Sequence, residues 1–428
     1  MITDSLQQTT LDNGLCLLAR EVHSAPVVSF WIWYRVGSRN ERPGLTGLSH
    51  WVEHMLFKGT PAYPRGQIDH LVQRTGGSFN GMTWLDWTAY YETLPADRLD
   101  LAIGIEADRM TNSLFDPAET ESERTVILAE REGNENRPTY QLFEQVQAHS
   151  FVAHPYRHTV IGWKEDLRTI ARDQLFDHYR AFYTPSNAIL AVVGDFETAD
   201  LIDRITAAFG PIPPGPAPAA ITITEPPARG ERRLDLTGPS GAAYLNLTFV
   251  VPGARHPDFF PLVVLDAVLS GATGLPPFGG ASFGRSARLY RGLVNTGLAV
   301  SASSSISATL DPYLFTITAT AHPQHTLAEV EAAALAEVER LQTTPLPAAE
   351  LRKAIRGTSA QFVYGSETVT NQALWLGFSQ VVASVEWLAG FLDGLAAVSA
   401  ADVQRVAQTY LTANNRVVGW YRPAGGPQ

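Results

Sequence analysis

His50-Trp51-Val52-Glu53-His54 is the stretch on which the reading of this 428-residue chain turns. Two imidazoles four positions apart on a helix point the same way, one turn from each other, with a carboxylate beside them. The flanking pattern predicts a helix over roughly 44–57. At about 100° per residue, His50, Glu53 and His54 share a narrow arc, while Leu48, Trp51, Val52, Met55 and Leu56 fall opposite and pack inward. Phe57 lies on the polar arc, where it either borders a pocket or is packed; Gly59 and Thr60 read as the helix stop. Burying three polar groups on an otherwise apolar helix is costly unless something binds them. The arrangement is the inverted form of the zinc-protease signature, with two metal ligands and a base on one helix.

A catalytic zinc takes three protein ligands and leaves a fourth position to water, so a further ligand is needed. The best source is the acidic run Asp116-Pro117-Ala118-Glu119-Thr120-Glu121-Ser122-Glu123-Arg124-Thr125-Val126-Ile127-Leu128-Ala129-Glu130. Asp116 suits an N-cap and Pro117 a first helical residue. Glu123 and Glu130 are seven apart and share a face, so one can bind metal while the other orients a histidine. The residues alone do not choose between them, and leave Glu106 and Glu132 open as well.

The motif and its continuation Met55-Leu56-Phe57-Lys58-Gly59-Thr60 resemble the insulinase, pitrilysin and mitochondrial processing peptidase family. Gly76-Gly77-Ser78-Phe79-Asn80-Gly81, Thr88-Ala89-Tyr90-Tyr91, Glu123 to Glu130 and His154-Pro155-Tyr156-Arg157-His158 extend the similarity through nearly the whole chain. The resemblance implies a zinc endopeptidase for short or unfolded peptides, working inside a closed chamber. It implies one Zn2+ per chain on His50, His54 and Glu130, with 130 − 54 = 76 residues between the last two. Glu123 becomes the supporting carboxylate and Glu53 the general base. The strand around 78–84 becomes a docking edge for substrate, with Asn80, Phe79 and Gly81 as its contacts; the alternative for Asn80 is a turn residue. His154 and His158 also have ligand-like spacing, but Pro155 argues against a helix there, and they read as a loop feature.

The rest of the chain sets the frame. With 45% hydrophobic residues it can bury two substantial cores. Acidic residues exceed basic ones, 43 against 32, for a net charge of −11. That argues against nucleic acid as a partner. The one cysteine, Cys16, excludes an intramolecular disulfide and reads as a core strand residue. No apolar run is long enough to span a membrane. The N-terminus lacks a signal pattern, so a cytoplasmic location is expected, or a periplasmic one if a signal peptide has been removed.

The Pro-rich stretch GPIPPGPAPAAITITEPP from Gly210 to Pro227 reads as a linker. The halves echo each other. Asp173-Gln174-Leu175 through Tyr183-Thr184-Pro185-Ser186-Asn187 and a strand 188–194 match Asp402-Val403-Gln404 through Tyr410-Leu411-Thr412-Ala413-Asn414 and a strand 416–421. Likewise a strand 27–36 before the motif helix matches a strand 244–251 before a helix 257–269. The expected fold is α+β: two homologous α/β-sandwich-like lobes, a zinc-binding lobe 1–209 and a lobe 231–428 without the motif, joined by linker 210–230 in a clam shell.

One feature departs from the family. Active members carry an Arg and a Tyr seven apart in the second half. Aligned on Gly297-Leu298-Ala299, those positions hold Leu293 and Val300, neither of which can donate a hydrogen bond. Tyr290 or Arg291 could substitute from nearby. The favoured expectation is a heterodimer, this chain being the zinc-bearing subunit, as in bacterial two-subunit relatives. A related chain lacking the zinc motif would then supply the pair; a homodimer is the other assembly open to it. The Gly-rich segment 270–282 is expected to contact the facing lobe or subunit. The competing function is a non-proteolytic, peptide-binding subunit like the core proteins of respiratory complexes.

Overall fold

The computed structural model describes residues 2–274 and 284–425, so most of the Gly-rich segment 270–282 lies outside the described residues. Two sheets organise the chain. The first has the order β1-β2-β6-β3-β5-β4, formed by Gln7–Thr10 (β1), Cys16–Glu21 (β2), Val27–Tyr34 (β3), Ser78–Thr83 (β4), Thr88–Pro95 (β5) and Ala188–Gly194 (β6). The second has the order β7-β11-β8-β10-β9, formed by Arg232–Gly238 (β7), Tyr244–Val251 (β8), Ala299–Ile306 (β9), Tyr313–Ala321 (β10) and Arg416–Pro423 (β11).

Apart from β1, the two orders correspond strand for strand. Each begins with a parallel pair (β2 with β6, β7 with β11) and continues antiparallel to the far edge. This is the internal duplication. The central strands are apolar because both their faces are covered. In β3, VVSFWIWY, every residue after Val27 is buried, and all of β6, AILAVVG, is buried. Cys16 opens β2 and is buried, as expected of a core strand residue.

The asparagine after each matched helix makes the same device. Asn187 Nδ2 donates to Phe182 O (2.8 Å), and Asn415 Nδ2 donates to Tyr410 O (2.8 Å), tying a helix end to the strand that follows. The partner of Asn187 is therefore Asn415, one residue beyond the Asn414 suggested by aligning the sequences.

The chain forms two compact units, and each draws on both sides of the linker. One comprises 1–131, 158–222 and 366–389; the other comprises 132–157, 223–365 and 390–428. The expected cut at 210–230 follows chain order, whereas the units exchange a helix in each direction. Val369–Val382 packs on β3 and β6 in the first unit, and Pro138–Ser150 packs on β11 and β8 in the second. Glycine permits both close approaches. A Cβ on Gly377 would lie 2.0 Å from Trp33 Nε1, and one on Gly419 would lie 2.4 Å from Val146. Leu142 and Val146 consequently share a core with Val417 and Tyr421. Residues 213–229 of the linker have no regular secondary structure. Among the described residues no helix is long and apolar enough to cross a membrane.

Candidate metal centre

The motif helix runs Leu48–Met55, shorter at both ends than the sequence pattern predicts. Its entry is fixed by a carboxylate from the preceding turn. Glu41, itself buried, accepts the N–H of Gly47 (2.7 Å) and of Ser49 (2.7 Å), so a negative charge meets the positive end of the helix. His158 Nε2 braces Glu41 at 3.1 Å. Leu48, Trp51, Val52, Met55 and Leu56 are buried as the amphipathic pattern requires. Phe57 turns out to be packed: its ring lies 5.8 Å from Phe79 and 5.9 Å from Tyr90, with the Arg109 guanidinium over it at 5.4 Å.

The second helix spans Pro117–Glu135. Asp116 Oδ1 accepts from the N–H groups of Ala118 (2.8 Å) and Glu119 (3.1 Å), which is N-capping geometry. This helix brings Glu130 to the histidines. His50 Nε2 and His54 Nε2 are 3.3 Å apart, and Glu130 Oε2 lies 3.8 Å from the first and 3.9 Å from the second. A tetrahedral zinc with bonds of 2.0–2.2 Å separates its ligand atoms by roughly 3.3–3.6 Å, a few tenths of an ångström less than the Glu130 distances. Among the described residues, His50, His54 and Glu130 are the group of three whose ligand atoms converge in this way. Glu106, left open by the sequence, is committed elsewhere: it holds the fully buried Arg109, whose Nε donates to its Oε2 at 2.7 Å.

The residues present fit a divalent cation. Glu123 Oε1 takes the Nδ1 hydrogen of His54 at 2.7 Å, which in the neutral ring leaves Nε2 as a lone pair facing the triangle. Lys58 pairs with the other Glu123 oxygen. Burial tends to raise the Glu123 pKa, but the hydrogen bonds from His54 and Lys58 outweigh it and keep the carboxyl below its usual range. Burial, then the neighbouring charge of His54, lowers the His50 pKa to about 3, so that ring stays neutral at physiological pH. His54 has the opposite balance. Burial opposes its charge, yet the Glu123 hydrogen bond and the charges of Glu53, Glu123 and Glu130 raise its pKa. Lone pairs and a carboxylate meeting within 4 Å repel one another unless a proton on His54 or a metal cation lies between them.

Glu53 sits beside the triangle, 8% exposed, and is not one of the three convergent groups. Burial raises its pKa, partly offset by the charge of His54 and by the hydroxyl of Thr83, which donates to Oε2 at 2.8 Å. Thr83 ends β4, and β4 is the free edge of the first sheet. Asn80 is an exposed residue within that strand rather than a turn residue, and its Oδ1 accepts the N–H of Gly81 (2.9 Å). Phe79 and Gly81 are half-buried beside it. His154 and His158 flank a single short turn, Pro155–Arg157, and face Asp311 and Glu41 rather than a common centre.

The departing positions are also clear. Leu293 is fully buried, and Val300, 59% exposed, stands on β9, the free edge of the second sheet. Arg288 donates through Nε and a terminal nitrogen to the Glu350 carboxylate (2.9 Å each). Arg291 is 3.8 Å from the same carboxylate. Sequence reasoning missed Glu41, Lys58 and Thr83. A helix start lacking a Ser, Thr, Asp or Asn cap was a signal for the first; nothing local marked the other two.

Residues 17–163 match the family model described as insulinase (peptidase family M16), and residues 169–358 match that of the peptidase M16 inactive domain. The chain is 26% identical to the zinc protease PqqE of Helicobacter pylori, with 97% of this chain and 93% of the relative covered. It is also 26% identical to the mitochondrial-processing peptidase subunit beta of Lentinula edodes, covering 94% and 87%. Among solved structures, a protease from Helicobacter pylori superposes with a TM-score of 0.92 at 25% identity, covering 98% of this chain and 99% of that one. The duplicated sheets and the two consecutive matches lead to one conclusion: the chain belongs to peptidase family M16, the insulinase and mitochondrial processing peptidase family.

Proposed function

We propose that this chain is a zinc endopeptidase acting on short or unfolded peptides. The observation that carries the reading is the triangle of His50 Nε2, His54 Nε2 and Glu130 Oε2, with the other His54 nitrogen tied to Glu123. His50, His54 and Glu130 would hold the ion, which when bound supplies a Lewis acid and an acidified water. Glu53 accepts the proton of the attacking water and returns it to the leaving amine. Its raised pKa brings it nearer the operating pH for both transfers. Thr83 fixes the Glu53 carboxylate. An extended peptide adds to the free edge of β4, where main-chain groups pair with it and Asn80, Phe79 and Gly81 meet its side chains.

The reading is completed by a second chain. Leu293 and Val300 offer no donor where active relatives hold the substrate carbonyl, and losing such a donor costs roughly a hundredfold or more in rate. A related subunit bearing the Arg and Tyr would supply them. The same two residues, and the inactive-domain match over 169–358, favour the second reading, a peptide-binding subunit that does not cut.

Cleavage of a quenched fluorescent peptide, measured together with zinc content, separates these. The Glu53→Gln variant should retain its zinc and lose roughly 10²–10⁴-fold in rate. Equal rates for variant and parent would remove Glu53 from the reaction. Zinc binding without cleavage, alone or with a related Arg- and Tyr-bearing chain, would favour the second reading.

A further inference from the structure

The second unit holds a cavity of about 870 Å³ that has no part in the chemistry above. It lies against β7 and the linker segment that leads into it, with Val152, Ile223, Pro226, Pro227, Val250 and Pro312 among its walls. Both the volume and the largely apolar lining are those of a small-molecule site, in which a few polar groups set the orientation.

Most of the polar groups lining it are already satisfied. The Glu225 carboxylate accepts three successive backbone N–H groups, from Val152 (2.6 Å), Ala153 (2.9 Å) and His154 (2.8 Å). His154 Nδ1 accepts from the N–H of Tyr156 (3.2 Å), so its hydrogen is on Nε2, 3.1 Å from Asp311 Oδ2. Tyr410 donates to Asp258, and Asn415 donates to two backbone carbonyls. Arg232, at the start of β7, is the lining group with a buried nitrogen left unpartnered, whereas Arg229, which also lines the cavity, is exposed. Arg232 is half-buried, its Nε is fully buried without a hydrogen-bond partner, and no carboxylate pairs with it among the described residues. Burial of that guanidinium lowers its pKa, with only the charge of Glu225 opposing. A buried donor nitrogen without a partner is costly, and an arginine fork matches a carboxylate in shape.

We infer that this cavity binds a carboxylate carried on an apolar body, with Arg232 taking the carboxylate and the Val152, Ile223 and proline wall taking the body. A peptide's free C-terminal residue and a fatty acid both have this chemistry. The inference stands independently of the metal centre.

Calorimetric titration of the full chain tests it, with N-acetylphenylalanine against its amide and decanoate against decanol. At least one acid should bind roughly tenfold or more tighter than its neutral counterpart, and Arg232→Gln should abolish that preference. N-acetylphenylalanine alone showing it would identify a peptide end, and decanoate alone a fatty acid. Val152→Trp, at a site 65% exposed and so outside the core, should weaken whichever acid binds by filling the cavity. Acids that bind no better than their neutral counterparts, or that bind Arg232→Gln as well as the parent, would overturn the assignment.

Discussion

The helices Leu48–Met55 and Phe259–Ser270 follow equivalent strands, β3 and β8, in the two copies of one architecture, yet they present opposite surfaces. The first reserves a polar arc for His50, Glu53 and His54. In the second, every residue except Phe260 is buried. Both copies nonetheless use a hydroxyl on the free edge strand to hold a helix carboxylate. Thr83 on β4 donates to Glu53 at 2.8 Å, and Ser304 on β9 donates to Asp266 at 2.5 Å. The surroundings separate the two. Glu53 has charged neighbours in His54, Glu130 and Arg109, whereas Asp266 has burial and one hydroxyl, and burial pushes its pKa up to about 7. The architecture thus forms without the three convergent groups, which are an addition to one copy.

The largest effect that would sharpen this contrast is on stability in the second copy. The folded pKa of Asp266 exceeds its unfolded value, so its contribution is most favourable below about pH 4 and is lost as pH rises towards 7. The shift from 3.8 to about 7 sets a ceiling of roughly 4 kcal/mol, about a thousandfold in the folding equilibrium. Asp266→Asn should therefore flatten the pH dependence of urea unfolding between pH 4 and 8. An unchanged slope would show that Asp266 does not titrate as its burial requires.

In the first copy, Glu123→Ala should weaken zinc binding by about 10–100-fold, read in a chelator competition, because the His54 ring loses the acceptor that fixes its tautomer. Affinity equal to the parent would mean that His54 is oriented by packing alone. The smallest effect is expected from Thr83→Val. The hydroxyl stabilises the charged form of Glu53, so its loss should move the acid limb of the pH–rate profile to higher pH, slowing cleavage by about fivefold near pH 6 and less at pH 8. A profile that does not move would leave Thr83 a structural residue only.

These contrasts also explain what could be read from the sequence. The motif helix was legible because its two faces differ in composition at a helical period, β6 as a continuous apolar run, and β8 as an apolar strand interrupted by Asn246 and Thr248. Glu130 was not separable from its acidic neighbours by pattern, since Glu123, Glu130 and Glu132 are chemically alike; the resemblance selected it. Lys58, Thr83 and Glu41 escaped because a carboxylate's partner in space need not be near in sequence: 65 residues separate Lys58 from Glu123, and 117 separate Glu41 from His158. The exchanged helices 138–150 and 369–382 were equally hidden, because the contacts that place them depend on Gly419 and Gly377 lacking a side chain.

The central claim, that Glu130 completes the set begun by His50 and His54, is tested most directly by zinc affinity in Glu130→Gln beside a Glu132→Gln control. One zinc per parent chain, a loss of at least about a hundredfold in Glu130→Gln, and parent-like binding in the control are the expected results. Parent-like binding in Glu130→Gln, with the loss appearing in Glu132→Gln, would contradict the claim.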